Sequence, residues 1–366
     1  MIYRIYGQKD ATIYEQTALK AQNTGKDGVL EVTKFHDTDT NSILIGNSRI
    51  LTKFDITAIS QSISNGTISG SGPEEFYLNL TSVEESEVQS EYQLDVYPVS
   101  QSWSEGMGQF YDSPIQTDGV SWQYRNDLMW TTSSFANGTT GSYSHNNGGG
   151  TWHTASLNNT SYSQTFNKYT TDLNVNVTEY VNDWMSGSRD NNGFIIKRPL
   201  SEESGSIRYG SSKFFSSETH TIYVPTLEVR WDDSQFGTGS LSPLTANNIT
   251  LYPKNLLSEY KESSKARIRM VGRERYPQRT FSSTSLLTDV KYLPQTTYYQ
   301  VTDVETNLVL IPFNTTYTKL SCDATGNYFD FWFNTLQPER FYQFEFRVDT
   351  DETQSYFNDY IFKVVR

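Results

Sequence analysis

The side chains best suited to catalysis are few in this chain. Histidine occurs four times, at His36, His145, His153 and His220, and none lies in a zinc-binding spacing such as His-Glu-x-x-His. There is no Gly-x-Ser-x-Gly nucleophile elbow and no Gly-rich phosphate loop followed by Lys-Ser or Lys-Thr. The single cysteine, Cys322, cannot form an internal disulfide, and its strand-forming neighbours suit a small core residue rather than a nucleophile. Asp37-Thr38-Asp39-Thr40-Asn41 opens like a calcium loop, but Ser42 stands where that loop needs Gly and Ser48 where it needs Glu. A turn is the plainer reading. Glu84-Glu85 and Glu202-Glu203 are adjacent acids in polar stretches, expected as solvated surface rather than an acid/base pair facing across a cleft. These residues predict no catalytic centre, no metal and no cofactor. A polysaccharide-degrading enzyme would need an acid pair or a His-rich group that the sequence does not display.

Two groups could bind rather than react. Trp130, Tyr143 and Trp152, with His145 and His153 beside them, could form a sugar-binding surface, because aromatic faces stack on sugar rings. The plainer reading is that they pack the surrounding segment against its own fold or a partner. The second group is the basic run Lys265, Arg267, Arg269, Arg273 and Arg275. On a strand, alternate residues share a face, so Lys265, Arg267 and Arg269 project together, opposite Ala266, Ile268 and Met270. Such a face is ordinarily solvated. The sharper reading is a docking face for an acidic neighbour, including another copy of the chain.

The elements that would carry these groups read as strands. Tyr92, Leu94 and Val96 alternate with Glu91, Gln93 and Asp95. Ile43 and Ile45, then Leu51, Lys53 and Asp55, predict a strand pair turning around Asn47. Gly193–Lys197, Thr226–Trp231, Tyr298–Asp303 and Tyr328–Phe333 are further strands. One segment departs: Val177, Tyr180, Val181 and Trp184 fall at i, i+3, i+4 and i+7, one face of a short helix capped by Asn176 or Thr178 and ended at Gly187. Residues 232–244 carry Gly, Ser and Pro without an apolar period and read as a linker. Residues 126–165 read as a long polar insertion. The expected division is therefore 1–231, a linker at 232–244, and 245–366.

Composition limits the partners. Aromatics make up 14% of the 366 residues, enough to close packed cores, while charged residues are only 19%. The Ser, Thr, Asn and Gly that dominate the rest favour strands and turns over long helices. The net charge is −13, and all of it falls in residues 1–244, with 15 basic and 28 acidic residues, whereas 245–366 carry 14 of each. An acidic first domain argues against nucleic acid. No stretch approaches the ~20 apolar residues of a membrane helix, and the first residues lack the order of a signal peptide. The expectation is a soluble chain that folds in a reducing compartment.

Three ordered blocks carry a resemblance. The first comprises Asp10-Ala11-Thr12-Ile13, Asn23-Thr24-Gly25 and Ser48-Arg49-Ile50-Leu51-Thr52-Lys53-Phe54-Asp55-Ile56. The second is Trp103-Ser104-Glu105 with Trp122. The third runs from Leu173 to Trp184, then Asn192-Gly193-Phe194, Ser216-Ser217-Glu218 and Pro225-Thr226-Leu227-Glu228-Val229. Together they resemble the DNRLRE domain over residues 8–231. The resemblance implies a jelly-roll-like β-sandwich, here with one short helix, of a kind found as non-catalytic modules on extracellular proteins, some of which bind acidic polysaccharide such as alginate. Downstream, Leu336-Gln337-Pro338-Glu339-Arg340-Phe341-Tyr342 resembles the tyrosine corner of fibronectin type III domains. The expected fold class is thus all-β, a jelly-roll-like sandwich followed by a fibronectin III or Ig-like sandwich. The arrangement is similar to virion structural proteins of contractile-tailed phages, notably those of marine cyanobacteria. That similarity implies a neck, tail, baseplate or capsid-decoration component, assembled in the host cytoplasm and localised to the virion. Its partners would be other virion proteins and copies of itself, and the alternative is an adhesin that recognises host surface polysaccharide. Neither nucleic acid nor a membrane is an expected partner.

Overall fold

The computed structural model describes residues 1–39, 42–68, 72–130, 140–141, 148–154, 162–205, 207–245, 248–277, 290–350 and 353–366. The fold is all-β, built from several sheets, with short helices as the only other regular structure of note among the described residues. The chain divides into two compact units. The larger comprises residues 5–65 and 75–228. The C-terminal unit comprises 229–366 together with 1–4 and 66–74.

The larger unit is organised around the strand Ser42–Phe54. It pairs with Ile2–Tyr14 on one side and Phe194–Lys197 on the other, and its first half forms a hairpin with Val29–Asp39. Glu91–Pro98 continues the sheet beyond Phe194–Lys197, and Gly210–Phe215 pairs with Val29–Asp39 and with Ser82–Ser86. Of the alternation expected in Glu91–Pro98, the inward set Tyr92, Leu94 and Val96 is buried, but Asp95, expected outward, is buried as well. The pair expected to turn at Asn47 is instead one continuous strand. Asn47 sits inside it because its Nδ2 donates to Glu15 Oε2 (2.5 Å), while its carbonyl accepts the Glu15 N–H at 2.8 Å. A buried amide whose N–H groups and carbonyl meet a partner in this way does not need to be a turn.

Thr178–Met185 is the helix the spacing predicts, with Tyr180, Val181 and Trp184 buried. Asn176 Oδ1 accepts the Thr178 N–H at 3.0 Å, and Gly187, at φ +72°, takes the left-handed conformation that stops the helix. Two further short helices, Thr57–Ser64 and Leu200–Ser204, were not expected. Thr57–Ser64 is as long as Thr178–Met185 but buries only Ile59, and Leu200–Ser204 is five residues long and buries only Glu203, so neither displays a repeated apolar face.

The C-terminal unit is a two-sheet sandwich. One sheet contains Lys265–Glu274 between Ile249–Pro253 and Gly326–Trp332, with Ser321–Asp323 beyond the latter. The other runs Glu259–Lys261, Gln354–Val365, Arg340–Asp349, Thr297–Asp303 and Val309–Ile311. Strict alternation in Arg340–Asp349 turns Tyr342, Phe344, Phe346 and Val348 inward. There the rings of Tyr299 and Phe329 stack at 4.7 Å and those of Phe344 and Phe362 at 4.5 Å. Each buried aromatic of this kind contributes about 1.5–3 kcal/mol through its area.

The segment 232–244 is not a free connector. The Cys322 N–H donates to the Gln235 carbonyl (2.8 Å), and the Gly237 N–H to the Cys322 carbonyl (2.9 Å). Ser242–Pro243 pairs in parallel with Lys291–Tyr292, and Leu244 is buried in the core. Composition marks this stretch as a linker, yet Phe236 and Leu244 anchor it: Phe236 packs edge-on against Tyr292 at 5.8 Å. Likewise Ile2 and Ile68, from the two short outlying segments, are buried.

Candidate functional site

The described members of the aromatic group follow the plainer reading and pack inward. Trp130 and Trp152 are both buried, and Tyr143 and His145 lie outside the described residues. Trp130 Nε1 donates to the Ser121 carbonyl at 3.0 Å, so its polar edge is spent within the fold. His153 is buried, and burial with the nearby Arg189 lowers its pKa to about 4. These rings supply apolar area to a core, which removes them from contact with a sugar.

The basic strand is exposed but not unpaired. Arg267 Nε reaches Asp330 Oδ1 at 2.7 Å, and Lys265 lies 3.6 Å from the same carboxylate. Arg269 reaches Asp323 at 2.8 Å. Arg267 and Asp330 are direct cross-strand partners, so the register itself supplies the counter-charge. That Arg269 contact holds the Asp323 carboxyl well below its usual range. Arg273 donates to the Glu274 carbonyl, and the Arg275 guanidinium lies over the Tyr276 ring at 5.9 Å. Asp330 and Asp323 thus answer Lys265, Arg267 and Arg269 within the sheet, while Arg273 and Arg275 meet a backbone carbonyl and a ring, so the run keeps a net positive charge. Cys322 is buried, and burial raises its thiol pKa. Asp37 and Asp39 belong to Val29–Asp39, and the side chains of the calcium-like run fall outside the described residues. Among the described residues no group of three or more His, Cys, Asp or Glu is placed to hold a metal.

Glu203, expected on the surface, is 1% exposed. Its carboxylate meets Arg49 in a two-pronged contact, Nε to Oε1 at 3.0 Å and Nη2 to Oε2 at 2.8 Å, with Lys197 Nζ 3.2 Å from Oε2. The Arg49 guanidinium also lies over the rings of Trp122 (4.7 Å) and Trp152 (5.0 Å) and donates to the Gly149 carbonyl. Burial pushes the Glu203 pKa up, but the two cations outweigh it and hold the carboxyl below its ordinary value. The result is a closed ionic and aromatic lock that fastens residues 148–152 to the sheet.

The blocks that carry the DNRLRE resemblance also converge. Asn23 Nδ2 donates to the carbonyls of Glu105 (2.6 Å) and Val120 (2.8 Å), while Asn23 Oδ1 accepts the Gly108 N–H at 2.7 Å. Gln22 Nε2 donates to the Gln109 carbonyl at 2.7 Å. Gly25 is required because a Cβ there would overlap the Glu105 carbonyl oxygen. Lys26 bridges Glu105 (2.9 Å) and Glu218 (2.5 Å), and the buried Asp10 accepts the Ser217 N–H at 2.7 Å. Two short segments distant in sequence thereby hold the irregular stretch 104–120 in one conformation.

That stretch presents Phe110 and Tyr111 to a cleft of about 540 Å³, within the range of small-ligand sites. Tyr14 meets Phe110 edge-on at 5.1 Å, and Phe110 meets Tyr111 edge-on at 4.9 Å. Tyr111 is 92% exposed. Asp27, Glu31, Glu84 and Lys213 also line the cleft. Glu31, Lys213 and Glu84 occupy one row across three strands, with Lys213 3.3 Å from Glu84. Glu31 accepts hydrogen bonds from the Tyr14 and Ser211 hydroxyls. Burial lifts the Tyr14 hydroxyl pKa far above its usual value, and the Glu31 charge adds to the effect. Asp27 Oδ1 accepts the Phe110 N–H at 3.1 Å. Burial raises the Asp27 pKa to about 6, a rise that this hydrogen bond opposes and the Asp112 charge adds to. Sequence reasoning passed over this site: Tyr111 stands in a stretch with no apolar period, and its neighbours in the cleft come from other segments.

No family model matches the chain, and no curated protein matches it. Among solved structures it is similar to the β-glucuronidase of Parabacteroides merdae. Identity is 10%, over 96% of this chain and 30% of that one, with a TM-score of 0.17. The same enzyme with glycerol in its active site gives 10% identity, 96% and 30% coverage, and a TM-score of 0.18. A DUF4785 family protein from Legionella pneumophila is 8% identical over 97% of this chain and 64% of that one, at a TM-score of 0.17. The chain therefore spans under a third of the glucuronidase, and scores this low carry no argument about fold or activity.

Proposed function

We propose that the chain is a non-enzymatic structural component of a tailed-phage virion, in the neck, tail, baseplate or capsid decoration. It acts through contacts between subunits, with other virion proteins and copies of itself as partners. The lock formed by Arg49, Glu203 and Lys197 carries this reading. This concentrated group of interior charges is at most 2% exposed and is consumed in holding the fold rigid. A fold held rigid from within loses less entropy when it docks, which favours repeated assembly contacts. The outer face of the five-stranded sheet in the C-terminal unit adds support. Ile361, Gln343, Thr302 and Val309 form one row across four strands, and Phe341 lies in the next. Ile361, Val309 and Phe341 are 44–49% exposed, apolar side chains spaced among polar ones on a face open to a subunit contact. Mass spectrometry of purified virions tests the proposal. The polypeptide is expected at a stoichiometric copy number, and its absence overturns the reading.

A second reading, a carbohydrate-binding adhesin for host surface polysaccharide, is favoured by the Tyr111 cleft, which pairs an exposed aromatic face with hydrogen-bonding carboxylates. The same virion component could carry both roles.

A further inference from the structure

We propose that the Tyr14–Phe110–Tyr111 cleft binds an uncharged or amine-bearing pyranose of a polysaccharide chain and turns away acidic sugars. The inference rests on the adhesin reading and names its ligand class.

Three features of the cleft converge on this chemistry. The first is the aromatic wall. Tyr111 leaves its ring almost wholly exposed, yet the ring is held at 81° against Phe110, which is itself held against Tyr14. The exposed Tyr111 ring offers a flat apolar face. The C–H face of a pyranose matches such a surface. The backbone beneath it is held in place, because Asn23 and Gln22 bind residues 105, 108, 109 and 120 directly.

The second feature is the hydrogen-bonding set. Carboxylates only accept, so the cleft asks for donors. Glu31 already serves two hydroxyls, and Lys213 neutralises Glu84. Asp27 is different. Its Oδ1 takes the Phe110 N–H, and its Oδ2 has no hydrogen-bond partner among the described residues. An accepting oxygen beside an aromatic platform is placed to receive a sugar hydroxyl or a protonated amine.

The third feature is charge. Three carboxylates face one ammonium, which leaves the lining with a net charge of −2 when all are ionised. The larger unit around it is acidic as well. A uronate, sialate or sulfate entering here would meet like charge with no free cation to receive it, which is a device for rejecting partners. A neutral sugar meets no such barrier, and an amine gains from it.

A glycan array probed with the full-length chain tests this, using neutral, amine-bearing, uronate, sialylated and sulfated glycans. Tyr111→Ala and Asp27→Asn are run alongside, with circular dichroism confirming that both remain folded. Binding is expected on neutral or amine-bearing glycans only, falling about tenfold in Tyr111→Ala, the order of a lost aromatic contact. Asp27→Asn is expected to weaken amine-bearing glycans and to relax the exclusion of acidic ones. Binding confined to acidic glycans, and lost in Tyr111→Ala, overturns the ligand class while leaving the adhesin reading standing. Binding that neither variant alters overturns the site. No binding to any glycan overturns the adhesin reading and this inference with it.

Discussion

The hydroxyl of Tyr342 donates a hydrogen bond of 2.7 Å to the carbonyl of Gln337, five residues earlier, from a side chain that is fully buried. The contact closes the turn between the short helix Phe333–Thr335 and the strand Arg340–Asp349. Tyr342→Phe keeps the ring and removes only the donor, leaving the Gln337 carbonyl without it. The expected cost is about 1–2 kcal/mol. Urea denaturation followed by near-ultraviolet circular dichroism should show a lowered midpoint with unchanged slope, and an unchanged midpoint would mean that the hydrogen bond contributes no net stability.

Glu203→Gln should be far more damaging. It removes the counter-charge shared by Arg49 and Lys197, each about as buried as Glu203 itself. Breaking a buried pair on one side costs about 3–5 kcal/mol. The triple replacement Arg49→Met, Lys197→Met and Glu203→Leu should recover part of that loss, because no charge is then left buried. Tryptophan fluorescence is a suitable probe, since Trp122 and Trp152 flank the guanidinium.

Gly25→Ala places a methyl group against the Glu105 carbonyl oxygen, which belongs to backbone and cannot swing aside. A penalty of about 1–3 kcal/mol is expected. Hydrogen–deuterium exchange should locate it: peptides covering 104–120 should lose protection, while those from the C-terminal unit stay unchanged.

Asp10 gives the larger unit a pH dependence. Burial, opposed by hydrogen bonds from Ser217 and aided by the charges of Glu105 and Glu218, raises its pKa from 3.8 to about 7. Between those values the folded chain keeps a proton that the unfolded chain has released. This group's contribution to stability therefore falls as pH rises through that window and levels off above about 7. From pH 5 to pH 8 the wild type should lose on the order of 2–3 kcal/mol relative to Asp10→Asn. Chemical denaturation of both proteins at the two pH values measures the difference, and parallel behaviour would show that Asp10 titrates normally.

Much of the architecture was legible because it is written in short-range pattern. Alternation in Glu91–Pro98 follows from the period of a strand, and the Val177–Trp184 spacing from the period of a helix. The Leu336-to-Tyr342 spacing is likewise a local geometric constraint. Each depends only on residues a few positions apart. Asn47 and Glu203 defeated the same logic because polarity predicts exposure only until a partner is known. The partner of Glu203, Arg49, lies 154 positions away.

The sequence by itself thus determined an all-β chain, its inward-facing aromatics, one helix and one locked turn, since those follow from the stereochemistry of neighbouring residues. Only the tertiary structure decided which charges were buried together, where Trp130 and Trp152 pack, and that Tyr111 and Asp27 line one cleft. Those outcomes depend on strands brought side by side by the topology, and the energy of a charge or a ring is fixed by what surrounds it in space rather than along the chain.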